Sequence, residues 1–213
     1  MDKNLKWVNG QRIKRTIENL KKNNMEAYLV KDEKEAVNKV KSFIKDGEII
    51  AVGGSMTLFE TGVIDMLKSG NYNFLDRYKE GLNRKDMKDI YRRSLLSDTY
   101  IVSSNAITES GELYNVDGNG NRVAAMIYGP EQVLVVAGLN KIVKDIDAAV
   151  ERTKYFAAPA NTKRLNVGTP CTQSGYCVEC KSDNRICNDY VLIKRQNVKG
   201  RIKVIIVDKN LGY

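Results

Sequence analysis

Gln132-Val133-Leu134-Val135-Val136-Ala137 is a strand-length run with no polar face. A strand with one wet side alternates polar and apolar residues, whereas a strand covered on both sides does not. The run therefore predicts the interior of a parallel sheet with helices above and below it. Its surroundings repeat the theme. Residues 48–52 (Glu-Ile-Ile-Ala-Val) read as a short buried strand entering Gly53-Gly54-Ser55, and residues 26–30 and 99–103 read as further strands. Helical spacing lies between them. It is carried by Ile13, Ile17 and Leu20 within 9–24, and by Ala36, Val37, Val40, Phe43 and Ile44 after Asp32. Glu35, three residues past Asp32, gives that helix a capping-box signature. Further helices are expected over about 57–68, over 84–96 on Met87, Ile90, Tyr91 and Leu95, and over 142–156 on Ile146, Ala149 and Val150 with Phe156 at its end.

This alternation predicts an α/β fold, an open and mostly parallel sheet with helices on both faces. Residues 111–128 interrupt it as an inserted β-hairpin: one arm over 111–116, a turn at Asp117-Gly118-Asn119-Gly120-Asn121, and a second arm over 122–128. A C-terminal Cys-rich loop follows at about 159–188, opened by Pro159 and Pro170. Two final strands are expected over 190–195 and 202–207. The whole of residues 1–213 reads as a single domain, a size that one α/β unit fills.

A 42% hydrophobic content supports a sizeable core, and 29% charged residues argue against disorder. No stretch approaches the ~18–20 apolar residues of a membrane span. The opening residues, MDKNLKWVNGQRIKR, lack the apolar centre of a secretory signal, so a cytoplasmic protein with reduced thiols is expected. The net charge of +9 raises the question of nucleic acid. The basic residues are interleaved with acids, as in Lys31-Asp32-Glu33-Lys34-Glu35, and no basic run carries stacking aromatics, so no nucleic-acid partner is expected. A small anionic substrate suits the charge better, and the hairpin and basic surface leave a homodimer open.

The four cysteines, Cys171, Cys177, Cys180 and Cys187, fall within seventeen residues, and the chain has no histidine. The spacing C-x5-C-x2-C-x6-C centres on a C-x-x-C pair that grips one ion from a single turn. A redox disulfide at that pair would leave Cys171 and Cys187 unexplained. Zinc ribbons carry two such pairs and this loop has one, so the compact set favours an iron–sulfur cluster, with zinc as the alternative. A staple that only folds the loop fits either metal.

Other motifs stand where strands end, the place at which open α/β sheets bind ligands. Gly53, Gly54 and Ser55 form a turn into a helix that begins near Thr57, which suits an anionic group or, more plainly, a tight turn with an N-cap. Ser103-Ser104-Asn105-Ala106-Ile107-Thr108-Glu109-Ser110-Gly111 offers Asn105 as a ligand contact and Glu109 as a nucleophile or acid/base. Taken alone, Glu109 reads more readily as a polar loop residue. Arg122 leaves a turn and is placed to clamp a carboxylate or phosphate. Lys141, just past the 132–137 strand, is a catalytic candidate whose plain alternative is a surface lysine.

The ordered set Gly53-Gly54-Ser55-Met56-Thr57-Leu58-Phe59-Glu60-Thr61-Gly62, Asn105 to Gly111, Asn119-Gly120-Asn121-Arg122, Gly129 to Gly138 and Asn140-Lys141-Ile142-Val143 resembles the lactate-utilisation (LUD) domain family over about residues 10–207. The resemblance implies a fold similar to the sugar-phosphate isomerase and CoA-transferase superfamily, and a link to oxidation of lactate to pyruvate beside iron–sulfur subunits. By that analogy Glu109 corresponds to a transferase nucleophile, and Gly53, Gly54 and Ser55 to its anion-binding turn. The simplest lactate-utilisation subunits lack a four-cysteine loop, so this chain departs from them there. Three functions are then open. The first is oxidation of lactate or a related 2-hydroxy acid with an electron-transfer protein partner. The second is a non-redox transferase or isomerase for a phosphorylated or CoA-linked molecule, with structural zinc. The third is a binding module that senses metal or redox state.

Overall fold

The computed structural model describes residues 2–213. Six parallel strands form the main sheet in the order β1 (Glu26–Val30), β10 (Ile202–Val207), β7 (Gln132–Gly138), β4 (Thr99–Val102), β2 (Ile49–Val52), β3 (Asn73–Leu75). The apolar run sits inside, with Val133–Gly138 paired to Ile202–Val207 and Gln132–Val135 paired to Thr99–Val102. Its side chains alternate between two cores. Val133, Val135 and Ala137 share one face with Tyr100, Val102 and Val204; Leu134 and Val136 share the other with Ile50, Ile101 and Ile205. Helices cover both faces because each has an apolar stripe to bury. On the first face lie Ile13 and Leu20 of α1 (Lys3–Lys22) and Ala125 and Met126 of α6 (Asn121–Ile127). On the second lie Ala36 and Val40 of α2 (Glu33–Lys41) and Val63, Ile64 and Leu67 of α4 (Val63–Ser69).

Asp32 caps α2 by accepting the Glu35 N–H at 2.9 Å, while the Glu35 carboxylate turns to the Lys31 N–H, one residue short of a closed capping box. The single helix expected over 57–68 is two, α3 (Met56–Glu60) and α4, with the chain turning at Thr61-Gly62. Helix α5 (Arg84–Ser94) carries the complete capping box, Asn83 with Asp86.

The inserted hairpin is present but shifted. Its arms are β5 (Ala106–Thr108) and β6 (Leu113–Asp117), paired antiparallel, and where the second arm was expected over 122–128 the chain forms α6 (Asn121–Ile127). The reason is local: Val123 and Met126 lie three apart and both are buried, a helical spacing, and Asp117 Oδ1 accepts the Asn119 and Gly120 N–H groups to turn the chain before the helix. These strands belong to a second sheet, in the order β8 (Ile142–Val143), β5, β6, β9 (Asp189–Ile193). The two final strands are therefore split between sheets, β9 in the small one and β10 in the large one.

The last long helix starts later and runs further than expected. Ile142 and Val143 pair with Ile107 and Thr108 as β8. Helix α7 (Ile146–Arg152) then passes through a π-helical turn, Thr153–Ala157, into α8 (Ala158–Arg164). Pro159 lies inside α8 and is buried, so it does not open the Cys-rich loop; a widened turn just ahead of it suits a residue that has no N–H to donate. Phe156, expected at the core, is 53% exposed. Among the described residues, no helix is long and apolar enough to cross a membrane.

Candidate functional site

A cleft of about 540 Å³ opens at the carboxyl ends of β2, β4 and β7. Each strand delivers residues to it: Gly54 and Ser55 after β2, Ser103, Ser104 and Asn105 after β4, and Lys141 after β7. The π-helical turn and α8 supply Thr153, Ala157, Asn161 and Arg164, and Arg77 and Tyr91 close another side. The Cys-rich loop forms the remaining wall through Asp183, Arg185, Ile186, Cys187 and Asn188. That wall is anchored at both ends. The Cys177 N–H donates to Lys154 C=O at 2.9 Å, and the Asn188 N–H donates to Asp117 C=O at 2.8 Å.

Lys141 is the most perturbed group in the cleft. It is 2% exposed, and its Nζ donates to Ser103 Oγ at 2.9 Å. Burial, with help from the neighbouring Arg152 and Arg122 charges and against the pull of Glu60, lowers its ammonium to about 7. At neutral pH much of it is a free amine, the form that takes protons or attacks carbonyl groups.

Arg122 lines the cleft but donates all five of its N–H groups within the protein. Nε binds Asp117 at 3.1 Å; Nη1 reaches Asn115 Oδ1 at 2.8 Å and Ser103 C=O at 3.4 Å; Nη2 reaches Asn105 Oδ1 at 3.0 Å and Val116 C=O at 2.6 Å. It is a structural hub that adds positive charge, rather than a clamp with donors to offer. Asn105 stands at the lining, and its Oδ1 also accepts the Val116 N–H at 2.9 Å. Among the described residues the guanidiniums of Arg77 and Arg164 meet neutral partners, Tyr78 and Tyr91 for the first and Asn161 and Tyr213 for the second, which leaves their charge to a ligand.

Gly53 and Thr57 lie behind the lining. A Cβ on Gly53 would fall 2.6 Å from Val102 Cγ2 and 3.1 Å from Arg122 Cδ, so its place is set by packing against the hub. Thr57 is buried, with Oγ1 3.5 Å from Ser103 Oγ. Glu109, expected in the crevice, is not on the cleft lining. Its carboxylate binds Arg12 at 2.9 Å and Arg15 at 2.6 Å, both on α1. Burial pushes that carboxyl up, but the hydrogen bonds from the two arginines outweigh it and hold it below the usual range. The pairing turns Glu109 into a clasp between α1 and the small sheet.

The four cysteines do not form one four-thiol shell. Cys171 is buried with its Sγ 3.3 Å from both Thr162 Oγ1 and Thr169 Oγ1. Cys177 Sγ accepts the Glu179 N–H, and the carbonyls of Cys180 and Cys187 both accept from Arg185. Burial pushes the Cys187 thiol up, with Arg185 opposing and Cys177 and Cys180 adding to the rise. Among the described residues, no three Cys, Asp or Glu side chains are grouped to hold a metal ion. Sequence reasoning missed Ser103, Arg77, Arg164 and Arg152 as parts of this region. Ser103 alone carried a signal, its position at the end of a strand.

A family model for the LUD domain matches residues 13–207. No curated protein matches the chain. Among solved structures, the chain is similar to a DUF162 family protein from Deinococcus radiodurans, with a TM-score of 0.53 and 13% identity over 93% of this chain and 98% of that one. It is also similar to eIF2B delta from Chaetomium thermophilum, with a TM-score of 0.36 and 19% identity over 56% and 50% of the two chains. A further likeness is to ribose 5 phosphate isomerase A from Neisseria gonorrhoeae, with a TM-score of 0.36 and 13% identity over 64% and 65%. At these identities the first likeness speaks to the fold alone.

Proposed function

The chain belongs to the LUD domain family, and from that premise we propose that it takes part in oxidation of lactate or a related 2-hydroxy acid. The observation that carries this is the buried Lys141 amine at the floor of a cationic cleft. Arg77 and Arg164 are placed to hold the carboxylate, and Lys141, as a neutral amine, to accept the C2 hydroxyl proton. The C2 hydrogen then leaves with the two electrons, as a hydride, to the redox cofactor of an electron-transfer protein partner. Cys171, Cys177, Cys180 and Cys187 are a thiolate set for an iron–sulfur cluster, with zinc as the alternative; the cluster would supply one-electron transfer, zinc only a staple. As they stand, the thiols do not form its shell, and no step of the reaction is drawn through it.

Titration calorimetry with L-lactate tests the anion site. Saturable binding is expected, weaker in high salt. Arg164→Ala should weaken it by roughly tenfold, the loss of one charged hydrogen bond. Failure of lactate and other 2-hydroxy acids to bind would overturn the reading. Metal analysis with an anaerobic visible spectrum tests the cysteines: a brown protein is expected, and a colourless one with one zinc per chain would remove the redox role.

The contact of Lys141 with Ser103 favours a second reading, a non-redox transferase acting on a CoA-linked or phosphorylated small molecule. Here a hydroxyl and an amine do the chemistry and the cysteines only shape the wall.

A further inference from the structure

We propose that Ser103 is a nucleophile and Lys141 its general base, a pair that acts on small anionic esters or thioesters. This rests on the transferase reading of the cleft and names the group that would carry it. The two atoms, Nζ and Oγ, are 2.9 Å apart, within the reach at which a base takes a hydroxyl proton. Both side chains face the cleft from the ends of adjacent parallel strands, β4 and β7, so the sheet itself fixes their separation. Thr57 Oγ1 lies 3.5 Å from Ser103 Oγ.

No carboxylate pairs with Lys141 among the described residues; the charged groups facing it are Arg152 on α7, Arg122 on α6 and Glu60 on α3. Two cations against one acid favour the amine over the ammonium, and a neutral Nζ presents its lone pair to the Ser103 hydroxyl. Arg77 and Arg164 supply the charge that selects an anionic acyl donor.

The chemistry closes without a redox partner. Ser103 Oγ adds to the acyl carbon while its proton moves to Lys141. The alcohol or thiol leaves with that proton, giving an ester on Ser103. An acceptor alcohol or thiol, or water in its place, is then deprotonated by Lys141, takes the acyl group from Ser103 and restores both groups.

A fluorophosphonate probe tests the pair directly on the purified protein. We expect one adduct per chain, on Ser103, formed with loss of fluoride. Its rate should rise with pH through about 7 as Lys141 loses its proton. Ser103→Ala should take no label. Lys141→Met, or Lys141→Arg should the first variant unfold, should label at least roughly 100-fold more slowly. Acetyl-CoA, as an anionic thioester, should slow labelling by occupying the cleft. No adduct at any pH, or an adduct that persists in Ser103→Ala, overturns the pair. Labelling that ignores acetyl-CoA overturns the substrate class. If acetyl-CoA binds by calorimetry and no label forms, only the pair falls; if neither occurs, the transferase reading falls with it.

Discussion

Arg122→Met is expected to lower the free energy of unfolding by about 3–5 kcal/mol, the usual loss when one partner of a buried ion pair is removed. Arg122 and Asp117 are 12% and 10% exposed at their side chains, so water replaces only part of what the substitution takes away. Five acceptors lose a donor together: Asp117, Asn115, Asn105, and the carbonyls of Ser103 and Val116. These belong to the loop after β4 and to the second half of β6, two segments that the guanidinium of α6 holds in register. Arg122→Lys should fare little better, since an ammonium has three donors and no planar fork. Urea unfolding of the variants gives the number, and a loss under about 1 kcal/mol would show that Arg122 is dispensable as a hub.

Gly111→Ala should be nearly as damaging, at about 3 kcal/mol or more. Gly111 has φ +79°, a conformation costly to residues with a side chain. The added Cβ would also lie 2.4 Å from Leu20 N and 2.5 Å from Asn19 C, backbone atoms of α1 that cannot step aside singly. The helix as a whole would have to lift. Lifting it would strain the clasp of Arg12 and Arg15 on Glu109, and the bonds from Asn19 Nδ2 to Glu109 C=O and from Asn23 Nδ2 to the Ser110 and Gly111 carbonyls. A fall in melting temperature of roughly 6–12 °C is expected for a chain of this size. An unchanged melting temperature would mean that α1 docks without the turn.

The main sheet was legible because its strands are apolar on both faces and its helices are apolar on one, an alternation that marks a parallel sheet covered by helices. The small sheet was harder to read. Residues 121–127 hold Val, Ala, Met and Ile, which serve a strand or a short helix equally, and only the burial of Val123 with Met126 decides for the helix. Ile142 and Val143 joined the wrong element for the same reason: a two-residue strand has no period to detect. Lys141 stood out by its place at a strand end. What placed Ser103 beside it was the pairing of β4 with β7, a contact between segments distant in the chain. Glu109 shows the opposite failure. Its neighbours looked like a ligand loop, but its partners lie on α1, nearly a hundred residues earlier in the chain.

Strand β1 has a single neighbour in its sheet, β10, and Glu26 is matched there to Lys203. Roughly 175 residues separate the two, so β1 has no strand to pair with until residue 207 has left the ribosome. Until then β7, a largely apolar strand, presents one bare edge to the cell. Synthesis thus holds this chain for most of its length as an unfinished sheet, exposed to chaperones and to self-association alike, and closure comes as one late event.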